Sequence, residues 1–487
     1  MKKKIPVLAL MALSAAAYAD TTEWSGEGGS QMMIDGQWAD SRWTNGTPDA
    51  SKDVIIRHNW TRLLGGASVI EMKSLTFATG FGFLTLSGDD EGKVRDGTFD
   101  KSSYTAPTLK IGSGGISYSG SVTTDEVTFG SPDYRYGFNN ISVDGDITFN
   151  ALSVMAFGWN PNATYGTDNW SLDVGGIVNM NGGRVDQRLN INRCGGANQG
   201  PDPVGTVDAY VRFGGLDGSG VICNNDPGAV STNIYFQAQE GKTFQGGDWS
   251  GTISKWYLSD TSVAMNLVMD GGANGGKQYL RLGIMSGNQY DERPNSFNLN
   301  VLSGHIGINN DNASRFDKIE LNGGTLEVAY IRAGTHDPSQ DEMGFIYADK
   351  LEINAASQII FDVSASPNGG YENDMMYVGD ISGSGVVTLV IEFDANYFAE
   401  GKEINDSYQI FSLSGANNYD WAQALVKVMY KGGDISGQFS KLEARYSGYG
   451  TGGSVWVDLV GVVPEPAAVA AILGAAALAF AVWRKRK

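Results

Sequence analysis

Leu172-Asp173-Val174-Gly175-Gly176-Ile177-Val178-Asn179-Met180 decides the fold. Apolar and polar residues alternate on both sides of a glycine pair, so two short strands, each with one buried face, meet at a turn. The arrangement recurs. Leu109-Lys110-Ile111 leads to Gly114-Gly115-Ile116, and Ile141-Ser142-Val143 to Gly145-Asp146-Ile147-Thr148-Phe149. Further on, Leu299-Asn300-Val301 leads to Gly304-His305-Ile306-Gly307-Ile308, and Ile319-Glu320-Leu321 to Gly323-Gly324-Thr325-Leu326-Glu327-Val328. Met376-Tyr377-Val378 followed by Gly379-Asp380-Ile381-Ser382 repeats it late in the chain. One such unit cannot bury its apolar face alone, so units stack and their inward residues form continuous ladders. The pattern predicts an all-β chain wound as a right-handed parallel β-helix, a solenoid. The spacing is uneven, with 31 positions from Ile141 to Leu172 and 20 from Leu299 to Ile319, which puts insertions in the loops. Antiparallel β-sandwich domains are the alternative, because Gly-rich turns also close hairpins.

Composition agrees with an extracellular β protein. The chain holds 66 Gly in 487 residues, near twice the usual share of about 7%, and only 18% charged residues. Asn, Ser, Thr and Gly fill the polar positions, as turn-rich β structure requires. The net charge of −19 becomes more negative still once the basic ends are set aside. An acidic body argues against nucleic-acid binding, which needs cations to neutralise phosphates. Solubility through mutual repulsion is the simplest reading of that charge.

Both ends carry targeting signals. Met1-Lys2-Lys3-Lys4 is a positive n-region, Ile5 to Ala16 an apolar h-region, and Ala17-Tyr18-Ala19 a small-x-small site, so cleavage is expected before Asp20. At the other end Pro464-Glu465-Pro466 precedes an apolar run from Ala467 to Trp483 and the cations Arg484-Lys485-Arg486-Lys487. An apolar run closed by a basic cluster is a stop-transfer arrangement. Its 17 residues would span about 25 Å as a helix, enough to cross a bilayer with little tilt. This tail closely resembles the PEP-CTERM sorting domain recognised by exosortase-type membrane enzymes of Gram-negative bacteria. The resemblance implies two processing partners, signal peptidase and an exosortase. It also implies a protein exported to the cell envelope, outer surface or extracellular matrix, anchored at first by its C-terminus.

Residues 20–370 are assigned to the β-helical repeat, 371–463 to terminal rungs and a small β unit, and 464–487 to the sorting signal and one membrane helix. The repeat opens with Trp24-Ser25-Gly26, Trp38-Ala39-Asp40 and Arg42-Trp43-Thr44-Asn45-Gly46. This resembles the Trp-rich opening of autotransporter-like β-helical surface proteins with PEP-CTERM tails, although Arg42 stands where an Asn is usual. Three tryptophans ahead of a repeat suit an apolar cap over the first rung, and exposed tryptophan would suit sugar stacking. Tyr408 to Ser412 and Val455 to Val460 are expected as strands of the terminal unit, with Phe439 and a helical Tyr419 to Tyr430 packed within it. Cys194 and Cys223 are the chain's two cysteines. In an oxidising compartment they can pair, a loop closure worth about 3 kcal/mol, and two free buried thiols are the other reading.

No catalytic pattern stands out. His58, His305 and His336 fit no metal-ligand spacing, and there is no GxSxG elbow or P-loop. Asp89-Asp90-Glu91, Asp291-Glu292 and Asp341-Glu342 are acidic groups in polar context, where a solvated loop is the ordinary explanation. Asn309-Asn310-Asp311-Asn312 offers oxygen ligands but lacks the glycine and closing Glu of a calcium loop. The expectation is a non-enzymatic, adhesin-like surface or matrix protein with no cofactor. The alternative is a polysaccharide-degrading enzyme or carbohydrate-binding protein on the same scaffold.

Overall fold

A computed structural model of the chain describes residues 21–24, 34–37, 43–57, 61–64, 69–77, 83–86, 108–118, 126–129, 140–149, 154–157, 170–180, 188–191, 209–224, 232–255, 265–282, 297–310, 315–329, 343–365, 371–394, 401–448 and 452–463. Nearly all of them are strand or tight turn. They fall into two compact units, one holding the described residues up to Leu299 and the other those from Asn300 onward. The segments read as signal peptide (1–19) and as sorting signal and membrane helix (464–487) lie outside the described residues. Among the described residues no helix is long and apolar enough to cross a membrane.

In the first unit the strands pair in parallel with partners from the preceding and following stretches of chain. Strand Trp170–Met180 lies between Asn140–Val143 and Ala209–Gly218, and Arg188–Ile191 lies between Val154–Phe157 and Val221–Asn224. Consecutive hairpins would instead give antiparallel neighbours. The mostly parallel sheets are compatible with stacked solenoid coils, and the inward residues form the ladders that period-two alternation requires. Ile70, Leu109, Ile141, Leu172, Val211, Ile234 and Leu267 are successive register partners, and all are buried. Beside them run Met72, Ile111, Val143, Val174, Phe213, Phe236 and Met269. A separate eight-stranded sheet carries a third ladder of Val127, Met155, Leu189, Ile222 and Ile253. Each fully buried rung of this size contributes about 1.5–3 kcal/mol of transfer free energy.

Gly323-Gly324 lies in the turn between strands Phe316–Leu321 and Thr325–Val328, whereas Gly175-Gly176, expected at a turn, lies inside the single strand Trp170–Met180 at a register shift between Val174 and Ile177. There coils meet backbone to backbone: a Cβ built on Gly176 would lie 2.6 Å from the Gly145 carbonyl, and one on Gly215 would lie 2.1 Å from that of Gly246. The same places use aspartates as brackets between coils. The Asp146 carboxylate accepts from the Ile177 N–H at 2.8 Å, and Asp217 accepts from Asp248 N–H at 3.2 Å.

The second unit repeats the scheme. Ile306, Leu326, Ile359, Leu389 and Val426 form one register ladder, and Ile308, Val328, Phe361, Ile391 and Val428 the next. Asp380 brackets Ala416 N–H at 2.7 Å. Here antiparallel pairing enters. Strand Gly453–Val462 lies between Glu403–Leu413 and Phe439–Ser447, antiparallel to both. The helical expectation for Tyr419 to Tyr430 is corrected: Trp421–Gln423 makes one 3-10 turn, and Leu425–Tyr430 is a strand parallel to Val387–Phe393. The β-branched and aromatic residues Val426, Val428 and Tyr430 alternate and favour the pleated state.

On the central antiparallel strand Asp458 is 8% exposed. Burial alone would raise its pKa. Hydrogen bonds from Ser407 (2.5 Å), Lys441 (2.9 Å) and Arg445 (3.0 Å) outweigh that and hold the carboxyl down at about 2. A carboxyl lowered in the folded state stabilises above its unfolded value near 4 and loses that contribution as the pH falls through 2. With both cations partly solvated, about 1–2 kcal/mol is at stake. Urea unfolding followed between about pH 5 and about pH 2 should show wild type losing this stability while Asp458→Asn, already without it, has the flatter acid limb.

Candidate functional site

The outward face of the first unit is built from polar side chains that bond along the stack. Asn266 donates to Asn233 at 2.8 Å, and Asn298 donates to Asn266 at 3.0 Å. Such amide ladders form because identical groups recur one strand spacing apart and each amide can both donate and accept. Arg212 makes a forked pair with Asp173, its Nε at 2.7 Å. Desolvation of the guanidinium is outweighed by that partner, so its pKa is raised. Tyr210 and Tyr235 lie with ring centroids 4.6 Å apart and planes tilted by 31°. Lys110 bonds Glu71 at 3.0 Å, and Gln237 bonds Asp270 at 2.8 Å.

The second unit presents a half-buried aromatic strip, Phe345, Tyr347 and Tyr377. The two tyrosine rings stack at 4.7 Å and 8°. Asn310, itself buried, fixes the strand beneath: its amide oxygen accepts from Tyr347 N–H at 2.8 Å and its nitrogen donates to Tyr347 C=O at 3.1 Å. An acidic group lies on the neighbouring strands. Glu327, 5% exposed, meets His305 Nε2 at 2.5 Å. Asp374, 3% exposed, accepts from Gly344 N–H at 2.6 Å and from Asp362 N–H at 2.8 Å. Asp362 is the register partner of Glu392, and Asp394 follows two positions on. Burial pushes the carboxyls of Asp362 and Asp374 well above the usual range, and the surrounding carboxylates add to the effect. Among the described residues no set of three or more His, Cys, Asp or Glu is placed to hold a metal ion.

Comparison with known proteins returns neither a matching family model nor a matching curated protein. The site therefore rests on its own geometry.

Of the residues singled out in the sequence, Ala17, Ala19, Asp20, Pro464, Glu465, Pro466 and Arg484 to Lys487 lie outside the described residues. So do Cys194, His58, His336, Trp38 and the three acidic groups at 89–91, 291–292 and 341–342. Cys223 lies in strand Val221–Asn224 in register with Asn190. Trp24 and Trp43 are buried at 0% and 3% exposure, with rings 5.1 Å apart, so neither offers a face to a sugar. Asn310 turns its side chain to Tyr347 rather than to a cation. His305 is the one candidate that enters the acidic group. Glu327 and Tyr377 enter the sequence reading only as rung residues. A polar residue in an alternating strand carries no mark of whether its outward side is covered, and so Asp362 gave no signal.

Proposed function

We propose that this chain is an exported, non-enzymatic surface or matrix protein, an adhesin-like stalk whose body is a right-handed parallel β-helix. The observation that supports the reading is the outward polar ladder. Side chains such as Asn233, Asn266 and Asn298 bond to one another along the stack, which stiffens a scaffold. Delivery follows the two ends: a signal peptide removed before Asp20, a C-terminal membrane helix, and cleavage by an exosortase-type enzyme at Pro464-Glu465-Pro466. Extracellular polysaccharide is the partner that fits this destination.

The test is the tail. Glu465→Ala, and separately deletion of residues 467–487, are expected to change both the location of the protein and the intact mass recovered from surface and medium. Normal sorting and maturation of both variants would overturn the exosortase reading. The stacked, half-buried tyrosines Tyr347 and Tyr377 favour one rival, a polysaccharide-active protein. Turnover of any glycan in a panel, abolished by Asp362→Asn, would replace the structural reading with that one.

A further inference from the structure

We propose that the open edge of strand Phe439–Ser447 is a self-association surface: it pairs antiparallel with the same strand of a second copy of this chain, Ala444 facing Ala444.

The strand is the outermost of three in an antiparallel sheet. Glu403–Leu413 lies on one flank of Gly453–Val462 and Phe439–Ser447 on the other. In an antiparallel pair the N–H and C=O of every second residue turn away from the partner strand. On Phe439–Ser447 those groups bond nothing among the described residues. The nearby strand Leu425–Tyr430 ladders with Val387–Phe393 and Gly433–Asp434 instead. The first strand of the chain, Thr21–Glu23, is finished differently. Thr44 N–H donates to Glu23 C=O at 3.0 Å, and the Asn45 side-chain amide donates to Thr21 C=O. An edge nine residues long is a template for another strand unless something closes it.

Side chains on both faces fit a second copy. Inward, Leu442, Ala444 and Tyr446 are half-buried, whereas their register partners Leu459, Val457 and Val455 on the central strand are all 0% exposed. The apolar face therefore runs on past its cover. Outward, Glu443 is 60% exposed, with Lys441 beside it at 3.5 Å. Arg445 bonds Asp458 through Nε and lies over the Trp456 ring, which leaves its terminal nitrogens for another acceptor. A two-fold axis at Ala444 satisfies both faces. It sets Leu442 against Tyr446 of the second copy and Glu443 against Arg445 of the second copy, each pair made twice. Opposite charges and aromatic–apolar pairs directly across an antiparallel ladder stabilise it, and like charges there destabilise it. An axis at Glu443 would bring the two Glu443 carboxylates together and set Lys441 against Arg445. An axis at Leu442 would leave Tyr446 beyond the end of the facing strand. Charge and packing thus select one register.

Disulfide trapping of the full-length protein in mild detergent tests that register. Residues opposite each other across an antiparallel ladder have Cα atoms about 4.5–5.5 Å apart, within disulfide reach. Ala444→Cys under a mild oxidant should therefore give a species of twice the monomer mass, with a peptide joining position 444 to position 444. The parent, which keeps Cys194 and Cys223, should not give that peptide. Leu442→Cys, which faces Tyr446, should not cross-link to itself. Without oxidant, Glu443→Arg sets like charges opposite Arg445 and should raise the dimer dissociation constant at least about tenfold in sedimentation. A parent that stays monomeric at every concentration up to about 100 μM, where weak specific pairing shows, would overturn the proposal. So would cross-linking at 442 as strong as at 444, or a dimer indifferent to Glu443→Arg. A 444 cross-link that appears only after deletion of residues 467–487 would assign the edge to the chain's own tail and overturn it equally.

Discussion

Gln278→Ala should lower the stability of the first unit by about 3 kcal/mol or more, because it strands several buried backbone groups at once. Gln278 is 0% exposed on strand Lys277–Leu282. Its register neighbour in the preceding coil is Gly247, which has no side chain, and the glutamine reaches past it to Leu216 one coil further back. There its oxygen accepts Leu216 N–H at 3.0 Å and its nitrogen donates to Leu216 C=O at 2.9 Å. The nitrogen also lies 2.9 Å from Gly247 C=O and 3.0 Å from Tyr279 C=O. Strand Ala209–Gly218 pairs with strand Gly247–Trp249 only at Gly218 and Trp249, so the side-chain amide supplies the missing backbone partner at Leu216. Alanine leaves the Leu216 N–H and C=O unpaired, each at a cost of about 1–3 kcal/mol. Gln278→Glu separates hydrogen bonding from packing. It keeps the shape but turns a carboxylate onto carbonyl oxygens, so its buried carboxyl is raised and stability should return as the pH falls. Urea midpoints followed by tryptophan fluorescence at two pH values will show both effects, with buried Trp249 as a nearby reporter. An alanine variant with an unchanged midpoint would contradict the substitute-strand role.

Gly246→Ala should be comparably damaging, about 2–5 kcal/mol, for two reasons that add. Its φ is +73°, where a side chain strains the backbone, and a Cβ would lie 2.1 Å from the Lys277 carbonyl oxygen of the next coil. Gly241 supplies the control. Its φ is +77°, yet a Cβ there meets nothing within 4 Å. Gly241→Ala should therefore cost only the conformational part, about 1 kcal/mol. The difference between the two midpoints measures how tightly the coils approach at their corners. Equal losses would mean the approach is looser than the structure shows.

Alternation made the inward ladders legible, since Leu172, Val174 and Val178 announce one buried face whichever way the strands pair. Gly323-Gly324 marks a turn for the same local reason, while Gly175-Gly176 marks a register shift within one strand. Parallel pairing was not fixed by these cues, because a Gly turn between alternating strands serves a hairpin equally well. It follows from which distant stretches match, such as Leu172 with Val211, and matching needs no local signal. Leu425–Tyr430 was misread because a single aromatic-flanked apolar stretch fits either period. The candidate site was the least legible part. Gln278 and Asp374 look like ordinary outward polar residues, and only the empty flank at Gly247 or the returning segment 371–374 makes them interior. A sequence shows what a residue is, and burial of a polar group depends on what its neighbours lack.

The aspartate brackets carry a direction. Asp146 holds Ile177, Asp217 holds Asp248, and Asp380 holds Ala416. In all three the acceptor precedes the amide it receives. A chain emerging N-terminus first has each bracket in place before its amide arrives, so a finished coil is a template for the one behind it. Assembly can then proceed like a zip, closing from the first tooth, with no need to wait for the far end of the chain.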